Sequence, residues 1–139
     1  MLSAVLDTNV LVSAFLSPRG TPAAIVAAWR DGRFDLVVSP GLLGELNDVT
    51  GRPHLADRIN QHDLAGAFAD IQRNAILVDD PPPTRHVPSD PDDDYLIALA
   101  LAARAHAIVT GDTALLTLEL DNPRILTPRD FLTALDSIR

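Results

Sequence analysis

The residues best able to do chemistry in this chain are acids. Asp7, Glu45, Asp93 or Asp94, and Asp112 stand in four separate stretches, where a short apolar run ends or a helical pattern is under way. An alternating strand and helix fold would bring them to one edge of a sheet. There is no Cys and no Lys, all 11 basic residues being Arg. Thiolate nucleophiles, Cys-bound zinc and every mechanism that needs an ammonium are thereby excluded. Carboxylates crowded at one rim repel and raise one another's pKa unless positive charge lies between them. With no Lys to supply it, Mg²⁺ or Mn²⁺ is the natural counter-charge, since both take oxygen ligands and share coordination with phosphate. One or two such ions would activate a bound water and neutralise a phosphodiester under in-line attack. That is hydrolytic nuclease chemistry.

The elements that must position these acids can be read from apolar patterning. Short apolar runs at Leu2–Leu6, Leu36–Ser39, Ala75–Val78, Ala107–Thr110 and, more weakly, Arg124–Leu126 are read as buried strands. Helical patterns lie between them. Thr21 and Pro22 supply an N-cap and a first-turn proline for a helix through Trp29 that stops at Gly32. Others run from Pro40 to about Val49 and from Gln61 or His62 to Arg73, the latter with Leu64, Ala67, Phe68 and Ile71 on one face. A further helix is opened by Asp92–Asp94 and runs to Ala105, and a last one covers Pro128–Ile138. Strands spaced by helices imply an α/β fold with a mostly parallel sheet, whose functional crevice lies at the carboxyl ends of the strands. The proline-rich segment from Asp80 to Pro91 is read as a loop leading to that edge.

At 139 residues and 47% hydrophobic, the chain suits a single domain spanning 1–139. A net charge of -8 argues against a passive binder of nucleic acid, yet bound cations would invert the local field. The lack of Cys fits a reducing compartment. No apolar stretch reaches the roughly 20 residues that span a bilayer, and Asp7 and Asn9 interrupt the N-terminal run. A soluble cytoplasmic protein without membrane association is expected.

Taken in order, Asp7-Thr8-Asn9 after the first strand, Glu45 within Ser39–Leu46, Asp90-Pro91-Asp92-Asp93-Asp94 opening a helix, and Thr110-Gly111-Asp112 closely resemble the PIN domain. The resemblance is to the VapC-like toxins of toxin-antitoxin modules in particular and runs from Leu2 to about Leu132. It implies a three-layer α/β/α domain acting as a Mg²⁺- or Mn²⁺-dependent ribonuclease, often a homodimer and often held inactive by a small antitoxin. Carried over by position, Asp7, Glu45 and Asp112 match the first, second and fourth acids, and Glu45 owes its place to the resemblance. The third is Asp93 when anchored on Leu96-Ile97-Ala98, which is preferred, and Asp94 when counted back from Thr110-Gly111-Asp112. Asn9 and Thr110 match polar positions that shape the site by hydrogen bonding. Arg19, Arg52 and Arg85, each on a loop or helix end, are the expected RNA contacts.

Plainer readings compete with these. Asp7 and Asp112 could simply cap helices, the latter over Thr113–Leu118, and the Asp90–Asp94 run could be a solvated helix start. An EF-hand is excluded because Tyr95 takes the Gly position and Leu101 the bidentate Glu position. His54, His62 and His106 are read as surface or satisfied residues, with His86 the one placed to approach substrate. Trp29 and Phe68 are read as core. Phosphatases of the haloacid dehalogenase type and response-regulator receivers also use acids after a first strand, but both need a Lys. The remaining alternative is a PIN-like module that binds RNA or protein without cleaving.

Overall fold

The computed structural model describes residues 1–82, 91–118 and 120–138, with backbone alone at 91–93. Five strands form one sheet: β1 (Ser3–Leu6), β2 (Asp35–Val38), β3 (Ile76–Leu77), β4 (Ala107–Val109) and β5 (Arg124–Leu126). Their order is β3-β2-β1-β4-β5 and every pairing is parallel. Helices flank the sheet: α1 (Thr8–Leu16), α2 (Thr21–Arg30), α3 (Pro40–Thr50), the single turn α4 (Pro53–Ala56), α5 (Gln61–Asn74), α6 (Pro91–Ala103), the short α7 (Thr113–Leu116) and α8 (Pro128–Asp136). The mixed α/β architecture with a parallel central sheet is the one read from the apolar runs.

Burial explains which runs became strands. Ala4, Val5 and Leu6 of β1, and Ile108 and Val109 of β4, are fully buried. A strand covered on both faces has no polar side to alternate with, so it appears as an unbroken apolar run. The buried residues form one cluster in which α6 packs on β1 and β4 through Leu96, Ile97, Leu99 and Ala100. Trp29 lies in that core as read, whereas Phe68 is half-buried against it.

Several boundaries depart from the sequence reading. α1 was not legible: Thr8, Val10, Leu11, Val12 and Ala14 are buried and only Asn9 is exposed, so its polar side is too narrow to announce a 3.6-residue period. Its start is marked only by Asp7. The Ala75–Val78 run yields a two-residue edge strand whose Ile76 and Leu77 are exposed, so the expectation of a buried strand there is corrected. An edge strand with one neighbour leaves a side uncovered. Gly20 precedes α2 as its cap, so that Thr21 and Pro22 are both already helical. Gly32 does end that helical region, with φ of 80°. α6 ends through Arg104 at φ 54°, a left-handed residue that no glycine announces. The Asp80–Pro91 loop falls, from residue 83 to 90, outside the described residues. Among the described residues, no single helix is long and apolar enough to cross a membrane.

α8 is tied in by Phe131, fully buried and edge-on to Phe34 with ring centroids 5.0 Å apart at 83°. Phe131→Ala is expected to cost about 3–5 kcal/mol in chemical denaturation. Leu77→Ala, on the exposed edge, should stay within about 0.5 kcal/mol of the parent.

Candidate active site

β2 and β3 lie to one side of β1 while β4 and β5 lie to the other, so the strand order reverses between β1 and β4. Open parallel sheets bind ligands at the carboxyl ends of strands at such a reversal. Pairing continues past the strands there: Asp7 N donates to Val109 O at 2.9 Å and Thr110 N to Leu126 O at 3.0 Å. Asp7 and Thr110 thus emerge side by side.

The Thr110 hydroxyl joins the two acidic segments. It is fully buried, donates to Asp7 Oδ2 at 2.8 Å and accepts from Asp112 N at 3.0 Å. Each carboxylate also caps a helix. Asp7 Oδ1 accepts from Asn9 N at 3.3 Å at the start of α1, and Asp112 Oδ1 accepts from Ala114 N at 2.8 Å at the start of α7. Helix starts carry partial positive charge, which eases the placing of two anions at one edge. Capping and site-building are therefore compatible here, because a carboxylate offers about four lone-pair positions. Asn9 contributes through its backbone N–H, and Thr110 through its side chain.

Asp94 is only 2% exposed, at the fourth residue of α6. A carboxylate is seldom held in the interior without a task or a partner. Asp93 belongs to the same helix, but its side chain lies outside the described residues. Adjacent helical residues point in different directions, so the two cannot be equivalent. Glu45 is exposed in the second turn of α3, a helix that packs against α1.

The structure also assembles a polar cluster that sequence reasoning missed. The Tyr95 hydroxyl donates to Asp80 Oδ1 and is hydrogen-bonded to Ser39 Oγ. Asp80 Oδ1 accepts in addition from Gly41 N at 2.9 Å, and Ser39 Oγ from Leu42 N at 3.2 Å. Gly41 leaves room for this cluster, since a Cβ there would stand 2.7 Å from Asp80 Oδ1 and 3.0 Å from the Tyr95 hydroxyl and would push those side-chain ends aside. The Tyr95 hydrogen bond, aided by Gly41 N–H and Ser39 and opposed by slight burial, holds Asp80 below the ordinary carboxylate range. Burial first, and then the Asp80 hydrogen bond, pushes Tyr95 up to about 12. The sequence offered only a faint signal: a single Tyr directly after an acid run, and a Ser-Pro-Gly helix start.

The expected RNA contacts are more scattered. Arg19 lies exposed between α1 and α2, at the far end of α1 from Asp7. Nine residues of helix separate them, roughly 13 Å along the axis. Arg52 precedes α4, beyond the end of α3, and Arg85 and His86 lie outside the described residues. His106 sits at the opposite end of the sheet, its Nδ1 accepting from Ser3 N at 3.0 Å, as befits a satisfied residue. His54 and His62 are exposed on α4 and α5.

A family model described as PIN domain matches residues 3–114, a span that contains the four candidate acid motifs. The chain belongs to the PIN domain family. An uncharacterized protein of Methanocaldococcus jannaschii, MJ1680, is 25% identical over 140 aligned residues, covering 94% of this chain and 90% of the relative. The crystal structure of PAE2754 from Pyrobaculum aerophilum superposes with a TM-score of 0.61 at 14% identity, over 97% of this chain and 90% of that one. At that identity the likeness concerns the fold alone. PIN domains are generally nucleases, so nuclease-type function comes with the family.

PIN domains typically use divalent metals. The donors at this rim fit such an ion chemically, being oxygen alone, with an interior carboxylate at Asp94 and a hydroxyl-oriented one at Asp7. Among the described residues, no group of three or more His, Asp or Glu stands close enough to hold an ion.

Two measurements check this account of the PIN domain's rim. Thr110→Val removes a fully buried hydroxyl and strands the Asp112 N–H, so unfolding should become easier by about 1–3 kcal/mol. Tyr95 is the one tyrosine, so tyrosinate absorbance follows it directly. Its midpoint should lie near 12 in the folded protein and fall toward 10 in denaturant. Because the folded value is the higher, its contribution to stability is complete below pH 10 and lost as pH rises toward 12. Tyr95→Phe should flatten that alkaline loss.

Proposed function

We propose that this PIN domain is a Mg²⁺- or Mn²⁺-dependent endoribonuclease in which Asp7, Glu45, Asp94 and Asp112 hold the ion. The observation that carries the reading is the meeting of Asp7 and Asp112 at neighbouring strand ends through the Thr110 hydroxyl. When bound, a divalent cation supplies charge neutralisation at the phosphodiester and a more acidic water. The chain's own residues supply orientation. Thr110 fixes the Asp7 carboxylate, the start of α7 fixes Asp112, and α6 carries Asp94 in the interior beside β1 and β4. Asp94 is taken as the third acid in place of Asp93 because an interior carboxylate gains most from a cation.

The resemblance of the acid motifs to VapC-like toxins supports RNA as the substrate, a homodimer as the working form and a small antitoxin protein as the partner. Arg19, Arg52 and Arg85 remain the proposed contacts to the RNA backbone, which needs cations beyond the metal on a chain of charge -8.

Asp7→Asn tests the reading. Cleavage of single-stranded RNA in Mn²⁺ should fall to the level of chelator-treated protein, while the metal-free melting temperature stays within a few degrees of the parent. A ligand that binds only the folded state must raise the melting temperature, so millimolar Mn²⁺ should stabilise the parent but not the variant. Full activity in Asp7→Asn would overturn the assignment. A parent indifferent to Mn²⁺ would favour a binding module without cleavage.

A further inference from the structure

Two of the proposed metal ligands ride on helices, and one hydroxyl links those helices. Tyr95 is the residue after Asp94 in α6, and its hydroxyl reaches both Ser39, the N-cap of α3, and Asp80, which accepts from Gly41 in the first turn of α3. Glu45 lies four residues beyond Gly41 in α3. The proton order is self-consistent. Ser39 Oγ accepts from Leu42 N, leaving its own hydrogen for the Tyr95 oxygen, and the Tyr95 hydrogen goes to the Asp80 carboxylate. Every hydrogen has an acceptor, so the cluster has one arrangement and not several.

We propose that Tyr95 is a positioning residue for this site, its hydroxyl tying the N-terminal part of α6 to the first turn of α3 and so fixing Asp94 in register with Glu45. This inference rests on the metal-dependent reading above. The same cluster explains a local peculiarity of the sequence. Gly41 sits in the first turn of a helix, where glycine is a poor helix former, because a Cβ would stand 2.7 Å from Asp80 Oδ1. The Asp80 carboxylate and the Tyr95 hydroxyl occupy the space that a side chain would take.

Groups that orient metal ligands from behind alter metal affinity or activity by about 10–100-fold when removed. Tyr95→Phe keeps the ring and the net charge and removes only the hydroxyl. Gly41→Ala also preserves charge, improves helix propensity, and displaces the cluster from the α3 side. In the full chain, Mn²⁺ is titrated two ways, by melting temperature and by the initial rate of single-stranded RNA cleavage. Both variants should need about ten-fold more Mn²⁺ for half-saturation, with KM for RNA at saturating Mn²⁺ unchanged and kcat largely restored there. A merely structural hydroxyl would lower the metal-free melting temperature and leave the half-saturation point alone. Should either variant fold poorly, the other decides by the same criterion. A parent that titrates with Mn²⁺ alongside variants of equal half-saturation would overturn the role of Tyr95 and leave the metal site standing. A parent that responds to Mn²⁺ in neither titration would overturn both.

Discussion

Everything at the acidic rim depends on the parallel pairing of β1 with β4. That pairing carries the chain past the last strand residues, so that Asp7 N still bonds to Val109 O while Thr110 lies alongside. A hydroxyl on a fully buried residue then has two polar groups in reach, the Asp7 carboxylate and the Asp112 N–H. The reversal of strand order falls at the same place, which is where open parallel sheets bind their ligands. Shift the pairing by one residue and the acids would separate, because neighbouring strand residues face opposite ways.

Gathering acids on a chain of charge -8 works against folding unless the backbone offers compensation. It does so repeatedly with the same device. Asp7 sits at the start of α1, Asp112 at the start of α7, and Asp80 accepts from Gly41 at the start of α3. Each carboxylate thereby meets N–H groups that the helix itself leaves without partners. Their role as caps is compatible with the proposed role of Asp7 and Asp112 as ligands, since capping fixes a carboxylate's direction without exhausting its oxygens.

Tyr95 and Asp80 show how the rim extends beyond the obvious acids. Asp80 follows β3, Ser39 follows β2 and Tyr95 belongs to α6, three segments far apart along the chain. Their meeting links the edge of the sheet remote from β4 to the helix that carries Asp94. The hydrogen bond from Tyr95 lowers the pKa of Asp80, while burial first and then that same bond raise the pKa of Tyr95, so the pair rests as a carboxylate facing a neutral phenol.

Residue types and order along the chain determined the fold class, most strands and the chemical character of the site. Unbroken apolar runs such as Ala4–Leu6 and Ala107–Val109 declare strands buried on both faces, and in a Lys-free, Cys-free chain the ordered acid motifs stand out as the candidate reactive groups. α1 escaped because a helix buried over most of its surface shows little period, and β3 misled because an apolar run does not reveal whether it will gain a second neighbour. Only the tertiary structure decided that the Thr110 hydroxyl bridges Asp7 to Asp112, that Asp94 lies in the interior, and that Tyr95, Asp80 and Ser39 meet. The physical reason is that propensity and periodicity act over a few neighbouring residues. Contacts across 15, 56 or 103 positions exist only once strand order and register have brought distant segments together.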